Sequence, residues 1–179
     1  EFDQAWVLSR MRVEITALPK WQDVVTVKTW INSLENSRSV RALEMYVNGK
    51  KIVGSETYWA VFNTKARRPE PLALPYEHFE LFPENRATVK GFSRININPD
   101  KESVFEKTVY LSDLDIVNHP NNVKYLEWCL DHVDAKRILK QEVKSFEKNF
   151  LNELSLNDQV VIHENDNEDH SATTFSITK

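Results

Sequence analysis

The sequence predicts an α+β fold in which antiparallel sheets pack with one long helix, and three observations support this. Apolar and polar residues alternate over Arg12–Thr16 and over Arg41–Val47, which is the period of a half-buried strand. Asn48-Gly49 follows the second of these strands and predicts a tight hairpin, because both residues tolerate a positive φ. Val123, Leu126, Leu130 and Val133 form an apolar stripe at spacings of three and four, which predicts a long helix over residues 121–140.

The remaining elements follow from the same rules. β-branched and aromatic residues predict strands, and clustered prolines and charges between residues 63 and 103 predict a connecting segment with a short helix over Tyr76–Phe82. His119-Pro120 marks the start of the long helix, since proline is favoured in the first helical turn. The further predicted strands are Val24–Ile31, Thr57–Phe62, Glu106–Ile116, Phe146–Leu151, Gln159–His163 and Ala172–Thr178.

A faint internal repeat relates the two halves of the chain. Val13-Glu14-Ile15 followed by Asp23–Val27 resembles Lys148-Asn149-Phe150 followed by Asp158–Ile162, and both pairs of segments share the same offset in sequence. Each half would then contain a curved antiparallel sheet, and the second half places a helix before it. Two strands joined by a turn with an aspartate are common in β proteins, so the repeat alone leaves duplication and coincidence open.

Composition excludes several classes of function. Hydrophobic residues make up 41% of the 179 residues and charged residues 28%, as in an ordinary globular protein. A net charge of −4 disfavours a nucleic-acid binder.

The lone Cys129 excludes an internal disulfide and a multi-cysteine zinc site, fits a reducing compartment such as the cytoplasm, and is expected in the core. The three glycines form no dinucleotide-binding or phosphate-binding loop, and no Gly-x-Ser-x-Gly elbow is present. No apolar run reaches the length of about 18 residues that a membrane-spanning helix needs.

Residues 110–125 concentrate the polar groups that catalysis requires. As a strand, this segment would place Asp113 and Asp115 on a face that begins apolar, where desolvation raises the pKa of a carboxylate and makes it a better general base. His119 follows Asp115 by four residues, and the helix behind it presents backbone N–H groups that can polarise a carbonyl. The alternative is that Asp115, Asn118 and Asn121 only cap the helix.

Several short segments resemble the plant and bacterial acyl-acyl carrier protein (acyl-ACP) thioesterases and keep the order of that family. These segments are Trp6–Met11, Trp21–Val25, Thr29-Trp30, Asn63–Pro69, Asp113–Asp115, His119 and Asn121–Tyr125. The resemblance implies a double hotdog fold, in which two fused modules each wrap an antiparallel sheet around a central helix. It implies a partial N-terminal module over residues 1–75, a linker over 76–103 and a C-terminal module over 104–179. The first module would lack its opening strand and most of its helix.

The resemblance also implies an enzyme that releases free fatty acid from acyl-ACP in fatty acid biosynthesis, with acyl carrier protein as partner and no metal or organic cofactor. The acidic catalytic position of the family falls on Asp115, its histidine on His119 and its downstream glutamate on Glu153. Its asparagine falls on Val117, and Asn118 is the candidate that replaces it through a bulge. A possible homodimer, and a location in the cytoplasm or in the plastid stroma of a plant, complete the expectation.

Other interpretations stay open. A hotdog dehydratase also pairs a histidine with a carboxylate, an acyl-CoA thioesterase would share the chemistry, and a non-catalytic acyl-binding module would bind without turnover. The polar run from His163 to His170 is a weak candidate for a metal site, and a hairpin loop explains it better. Lys65, Arg67 and Arg68 form a basic loop that would either steer an acidic carrier protein or simply be solvated.

Overall fold

The structure, a computed structural model, describes residues 2–96, 103–140, 143–166 and 171–179. Contacts between residues divide the chain into two units. Unit 1 contains Glu1–Ile95 and Val143–Leu151, and unit 2 contains Asn96–Glu142 and Asn152–Lys179.

Unit 1 is built on one antiparallel sheet with the strand order β2-β3-β4-β1-β7, and a two-residue strand β5 pairs with β4. The four strands predicted within residues 1–63 are all present, and each is longer than its predicted range. The strands are β1 (Gln4–Ile15), β2 (Val25–Glu35), β3 (Arg38–Val47), β4 (Lys50–Asn63), β5 (Arg68–Pro69) and β7 (Ser145–Asn149).

The predicted hairpin at Asn48-Gly49 is confirmed. Asn48 has φ 51° and Gly49 has φ 76°, so both residues occupy the left-handed region that a two-residue hairpin loop requires. Val47 pairs with Lys50 across the loop. A second tight turn joins β2 to β3, where Asn36 has φ 47°.

Strand β7 comes from the second half of the sequence and pairs antiparallel with β1. Arg12 lies directly opposite Glu147, and the Arg12 Nη1 atom is 3.2 Å from Glu147 Oε2. This pairing takes residues 145–149 of the predicted C-terminal module into the sheet of unit 1.

One face of the unit 1 sheet is polar and is covered by the segment that follows residue 82. The carboxylates of Glu14 and Glu56 accept backbone N–H groups from this segment. The bond to Glu56 satisfies the Ala87 N–H, which burial would otherwise leave unpaired. The segment approaches so closely that a Cβ on Gly54 would lie 1.9 Å from the Ala87 carbonyl oxygen. Only glycine therefore fits at position 54.

The opposite face of the unit 1 sheet is apolar. Val13, Ile52 and Val53 are buried, and Met11, Met45 and Phe146 are among the residues that pack against them. On unit 1 there is also an open cavity of about 630 Å³, lined largely by apolar side chains that include Trp6, Trp59 and Leu74. This volume lies within the range of about 300–1,000 Å³ that is typical of ligand pockets.

Unit 2 contains two helices and a three-stranded antiparallel sheet of order β6-β8-β9. Its buried core is formed by Val109, Trp128, Leu154, Val160 and Ile162. The elements are β6 (Ser103–Thr108), a 3-10 turn (Leu111–Asp113), α1 (Asn122–Leu130), α2 (Ala135–Lys140), β8 (Gln159–Asp166) and β9 (Thr173–Thr178).

The single long helix predicted over 121–140 is wrong, because the chain breaks between α1 and α2. The Asp134 side chain accepts the backbone N–H of Lys136, the bond by which an N-cap residue starts a new helix. The predicted apolar stripe is wrong in part, since Tyr125 and Trp128 pack into the core of unit 2 whereas Val123 and Leu130 are exposed.

Two smaller predictions also need correction. The strand expected over Glu106–Ile116 ends at Thr108, because Leu111–Asp113 turns into a 3-10 helix. The short helix expected over Tyr76–Phe82 is replaced by turns, one of which is closed by a hydrogen bond from Phe79 N–H to the Tyr76 carbonyl.

Candidate active site

His119 lies on a small hairpin loop between the 3-10 turn and α1. Leu114 and Pro120 form an antiparallel bridge, and Asp115 N–H donates to the His119 carbonyl at 2.9 Å. Asn118 N–H donates to the Asp115 carbonyl at 3.1 Å, and Asn118 has φ 64°. These features define a three-residue hairpin loop that is closed by a residue in the left-handed conformation.

Asp115 uses its carboxylate within this loop. Its Oδ1 atom accepts the backbone N–H of Val117 at 3.0 Å and that of His119 at 3.3 Å. The first of these bonds is an Asx turn, in which an aspartate side chain replaces a backbone acceptor. Asp115 therefore holds the backbone that carries His119.

The structure brings His119 and Glu153 together. The Nδ1 atom of His119 is 2.8 Å from Oε1 of Glu153, and the two side chains are 45% and 39% exposed. The Nδ1 atom itself is buried and makes no hydrogen bond of ordinary angle among the described residues, so the contact is a close approach of a base and a carboxylate. Both side chains are therefore partly open to solvent.

The position of Glu153 is set by the residues that follow it. Leu154 is 5% exposed and belongs to the core of unit 2. Beyond it, the Asp158 carboxylate accepts Ser155 N–H, and the Asp158 carbonyl accepts Val109 N–H. A buried leucine and a closed turn thus hold the chain on the C-terminal side of Glu153.

Helix α1 begins two residues after His119. The Asn121 side chain accepts Val123 N–H at 3.0 Å, so Asn121, and not Asn118, is the N-cap. The start of a helix carries partial positive charge, which favours negative charge on a nearby oxygen. A helix N-terminus therefore follows His119 directly along the chain, as we predicted from the sequence.

Tyr125 lies on the first turns of α1 and packs against the unit 2 core. Burial and the negative charges of Glu153 and Asp158 raise the pKa of Tyr125 above its ordinary value, so the phenol keeps its proton. Its ring centroid is 5.2 Å from that of Trp128.

Asp113 is a buried carboxylate whose role the sequence did not predict. Its Oδ2 atom accepts Tyr110 N–H at 2.8 Å and Lys107 Nζ at 3.0 Å, and its Oδ1 atom is 3.3 Å from Trp128 Nε1. Burial acts to raise the pKa of Asp113, but these three donors together lower it below the ordinary value. The carboxylate is therefore ionised and paired. In the sequence, the alternation of Asp113 with Asp115 indicated a strand. The 3-10 turn could not be recognised, because a 3-10 turn with a buried carboxylate has no simple periodic pattern of residues.

The sequence-predicted site residues are thus placed as follows. His119 and Glu153 are in contact, and Asp115 supports the loop of His119. Asn118 is exposed at the tip of that loop, and its backbone conformation is its clearest feature. Among the described residues no cluster of metal ligands is present, and the end of the His163–His170 run lies outside them.

The antiparallel sheets, with a helix packed on the core of unit 2, define an α+β protein. The sequence matches the acyl-ACP thioesterase N-terminal domain over residues 1–77 and the acyl-ACP thioesterase C-terminal domain over residues 97–179. The chain belongs to the acyl-ACP thioesterase family.

Individual relatives agree with this assignment. An oleoyl-acyl carrier protein thioesterase from Arabidopsis thaliana, described as chloroplastic, is 28% identical over 168 residues, covering 87% of this chain and 46% of the relative. A palmitoyl-acyl carrier protein thioesterase from the same plant is 28% identical over 152 residues, covering 78% of this chain and 36% of the relative. The chain spans about half or less of the length of these curated relatives.

Solved structures show the same fold. An acyl-ACP thioesterase from Bacteroides thetaiotaomicron superposes with a TM-score of 0.83 at 24% identity, covering 92% of this chain and 67% of the other. A 12:0-ACP thioesterase from Umbellularia californica gives 0.74 at 23% identity, with 93% and 67% covered. A MaoC-like dehydratase from Phytophthora capsici gives only 0.54 at 12% identity, with 96% and 65% covered. No helix in the described part of the chain is both long and apolar enough to cross a membrane.

Proposed function

We propose that the full-length protein hydrolyses fatty acyl thioesters on acyl carrier protein and releases the free fatty acid. The observation that carries this proposal is the 2.8 Å contact between His119 Nδ1 and Glu153 Oε1, in a chain whose family is named for this reaction. A half-exposed carboxylate beside an imidazole is the arrangement that general acid–base hydrolysis requires.

In the proposed reaction, Glu153 accepts a proton from water as the water oxygen attacks the thioester carbonyl. His119 stabilises the charges that develop and gives a proton to the departing pantetheine sulfur when the C–S bond breaks, and the proton that Glu153 took from water then passes to His119 across their contact. The N–H groups at the start of α1 stabilise the oxyanion. Asp115 is assigned a positioning role, because its Oδ1 atom already accepts two backbone N–H groups of the loop.

Asn118 enters the proposal as a turn residue, in contrast to the catalytic role expected from the sequence. Its side chain is exposed, and its φ of 64° is a conformation that asparagine tolerates better than most residues. Val117 occupies the position of the family's asparagine and is also exposed. The reaction is therefore assigned to Glu153 and His119 with Asp115 in support.

We further propose that the chain derives from two fused hotdog modules, the first over 1–75 and incomplete, the second over 104–179, joined by 76–103. Strands β1 and β7 support this. The repeat maps Arg12 onto Glu147, 135 residues later, and these two residues lie directly opposite each other in the antiparallel pair. When a local two-fold axis relates two neighbouring antiparallel strands, one residue of the first strand lies directly opposite its own equivalent in the second.

The proposed ligands and partners follow from the chemistry of the surface. The apolar cavity of unit 1 is suited to a hydrocarbon chain. Lys65, Arg67 and Arg68 would attract an acidic carrier protein. A homodimer, and a location in the cytoplasm or the plastid stroma, remain part of the proposal, and the chloroplastic relatives favour the stroma if the source is a plant.

The experiment uses the full-length protein and a series of acyl carrier proteins that bear acyl chains of increasing length. We expect release of free acid with a preference for some chain lengths, and slower release from the matching acyl-CoA thioesters. The same protein is assayed for hydration of an enoyl thioester. Hydration without hydrolysis would favour a dehydratase, and binding without either reaction would favour a non-catalytic acyl-binding module.

A further inference from the structure

The cluster around Asp113 lies beside the candidate active site, and the proposed reaction does not use it. The Asp113 carboxylate is 5% exposed and accepts hydrogen bonds from three elements. Lys107 is on β6, Tyr110 begins the 3-10 turn, and Trp128 is on α1. One buried charge thus connects the strand, the turn and the helix of unit 2.

The lysine of this cluster is held on several sides. Lys107 Nζ donates to the Thr108 carbonyl at 2.9 Å, and it lies 4.4 Å from the ring centroid of Tyr110 and 5.3 Å from that of Trp128. An ammonium group over aromatic faces gains cation–π stabilisation when it is shielded from water. Lys107 and Asp113 therefore form a compact ion pair inside an aromatic cage.

The backbone of Asp113 closes the loop that carries His119. The Asp113 carbonyl accepts Asn121 N–H at 2.8 Å, so the residue before the loop is bonded to the N-cap residue after it. His119 lies two residues before Asn121 on this closed loop. Any rotation of Asp113 would move both ends of the loop and the start of α1 together.

We propose that Asp113 is a positioning residue for the active site, and that its carboxylate, with Lys107 and Trp128, sets the place of His119 against Glu153. This inference rests on the proposed function for its kinetic consequence. A displacement of reacting groups by about 1 Å can reduce turnover by about 100-fold, even when the altered residue touches no substrate. A residue that acts through another in this way lowers kcat and leaves KM nearly unchanged.

The test compares Asp113→Asn with Glu44→Gln in the full-length protein. Asparagine keeps the shape of the side chain but replaces the carboxylate oxygen that accepts from Lys107, or the one that accepts from Trp128, with an NH₂ group. Glu44 is a matched control, because it is a buried carboxylate in unit 1 that also pairs with a lysine, Lys51, and an aromatic donor, Tyr46. Thermal midpoints, kcat and KM are measured for both variants.

We expect both variants to lower the thermal midpoint, whereas only Asp113→Asn lowers kcat, by about 10- to 100-fold with KM changed less than about threefold. Trp128→Phe removes only the indole N–H donor, so it should lower kcat by a smaller factor if Asp113→Asn proves too unstable to assay. Equal kcat losses in Asp113→Asn and Glu44→Gln, or unchanged kcat in Asp113→Asn and Trp128→Phe, would overturn the positioning role.

A second measurement separates this inference from the proposed function. The imidazole NMR signals of His119, assigned with a His119→Gln variant, are compared between the original protein and Asp113→Asn. We expect these signals to shift and broaden in the variant. Unchanged signals would refute the positioning role, whatever the protein hydrolyses. Shifted signals in a protein that lacks hydrolysis of acyl-ACP would uphold it while the proposed function fails.

Discussion

Carboxylates differ sharply between the two units. In unit 1, Glu56 is fully buried and accepts hydrogen bonds from Arg86, Ala87 N–H and Thr88 N–H. Glu14 likewise accepts backbone N–H groups and the Arg12 side chain, and these bonds lower its pKa although burial acts to raise it. In unit 2, Glu153 is 39% exposed and approaches a histidine.

The contrast shows how a structural carboxylate differs from one that is available for chemistry. A carboxylate whose oxygens are occupied by N–H donors and cations holds the chain in place and has no oxygen left for water or substrate. A half-exposed carboxylate beside an imidazole is placed for proton transfer. Asp113 belongs to the first kind although it lies in unit 2, which is why we assign it a positioning role.

The largest expected effect is on kcat, and it distinguishes the exposed carboxylate of Glu153 from the structural carboxylate of Glu14. Glu153→Gln removes the proposed base, and general acid–base catalysis is worth about 10²–10⁴ in rate, so kcat should fall by that factor. Glu14→Gln, the control in unit 1, should lower the thermal midpoint and leave kcat nearly unchanged. Asp115→Asn should cost much less than Glu153→Gln, since an amide oxygen still accepts the loop N–H groups. The reverse order, with Asp115→Asn the more damaging, would make Asp115 the base.

The second effect concerns stability alone. Arg86→Met leaves the Glu56 carboxylate buried without its cation, and we expect a loss of about 2 kcal/mol in the free energy of unfolding. This is less than the roughly 3–5 kcal/mol of a fully buried pair, because the Arg86 side chain is 53% exposed. Denaturant unfolding measures the loss, with Arg68→Met as a surface control. A loss below about 0.5 kcal/mol would mean that the backbone N–H groups alone satisfy Glu56.

Much of the fold could be predicted because the signals are local. Alternation predicted part of β1 and most of β3, and Asn48-Gly49 predicted the hairpin that follows β3, since both signals depend only on neighbouring residues. The contact of His119 with Glu153 came from the resemblance, because the two residues are far apart in sequence and no local pattern relates them.

The parts that could not be predicted depend on tertiary structure. Glu14 lies between Val13 and Ile15 and looks like a solvated position, whereas its carboxylate accepts backbone N–H groups of the covering segment. Glu56 lies between Ser55 and Thr57, and its carboxylate is fully buried and accepts the Ala87 N–H of that segment. The break in the predicted helix had a local signal in Asp134, which was outweighed by the apolar spacing on both sides. A 3-10 turn replaces the end of the strand predicted over Glu106–Ile116, and the buried ion pair of Asp113 and Lys107 specifies it. An ion pair of this kind leaves no periodic pattern in the sequence.

The smallest effect concerns Asn118, and it extends the comparison from carboxylates to turns. Asn48 in unit 1 and Asn118 in unit 2 both have a positive φ, yet only the second lies beside a candidate site. Asn118→Ala should cost about 1 kcal/mol of stability, because alanine lacks the short polar side chain through which asparagine tolerates the left-handed conformation. Asn118→Gly relieves that strain and also removes the side-chain amide.

The glycine variant therefore separates the two roles proposed for Asn118. If Asn118 only shapes the loop, Asn118→Gly should keep the free energy of unfolding within a few tenths of a kcal/mol and keep kcat within about threefold. Asn118→Ala should then be the less stable variant. If its amide acts in catalysis in place of the asparagine missing at Val117, both variants should lose about 10²–10³ in kcat, as removal of one preorganised polar group does elsewhere. Asn48→Gly, the matched change in unit 1, should leave kcat unchanged in either case. Because the Asn118 side chain is exposed and its backbone closes the hairpin loop, we expect the glycine variant to remain active, so that the turn sets the position of His119 and the chemistry is left to His119 and Glu153.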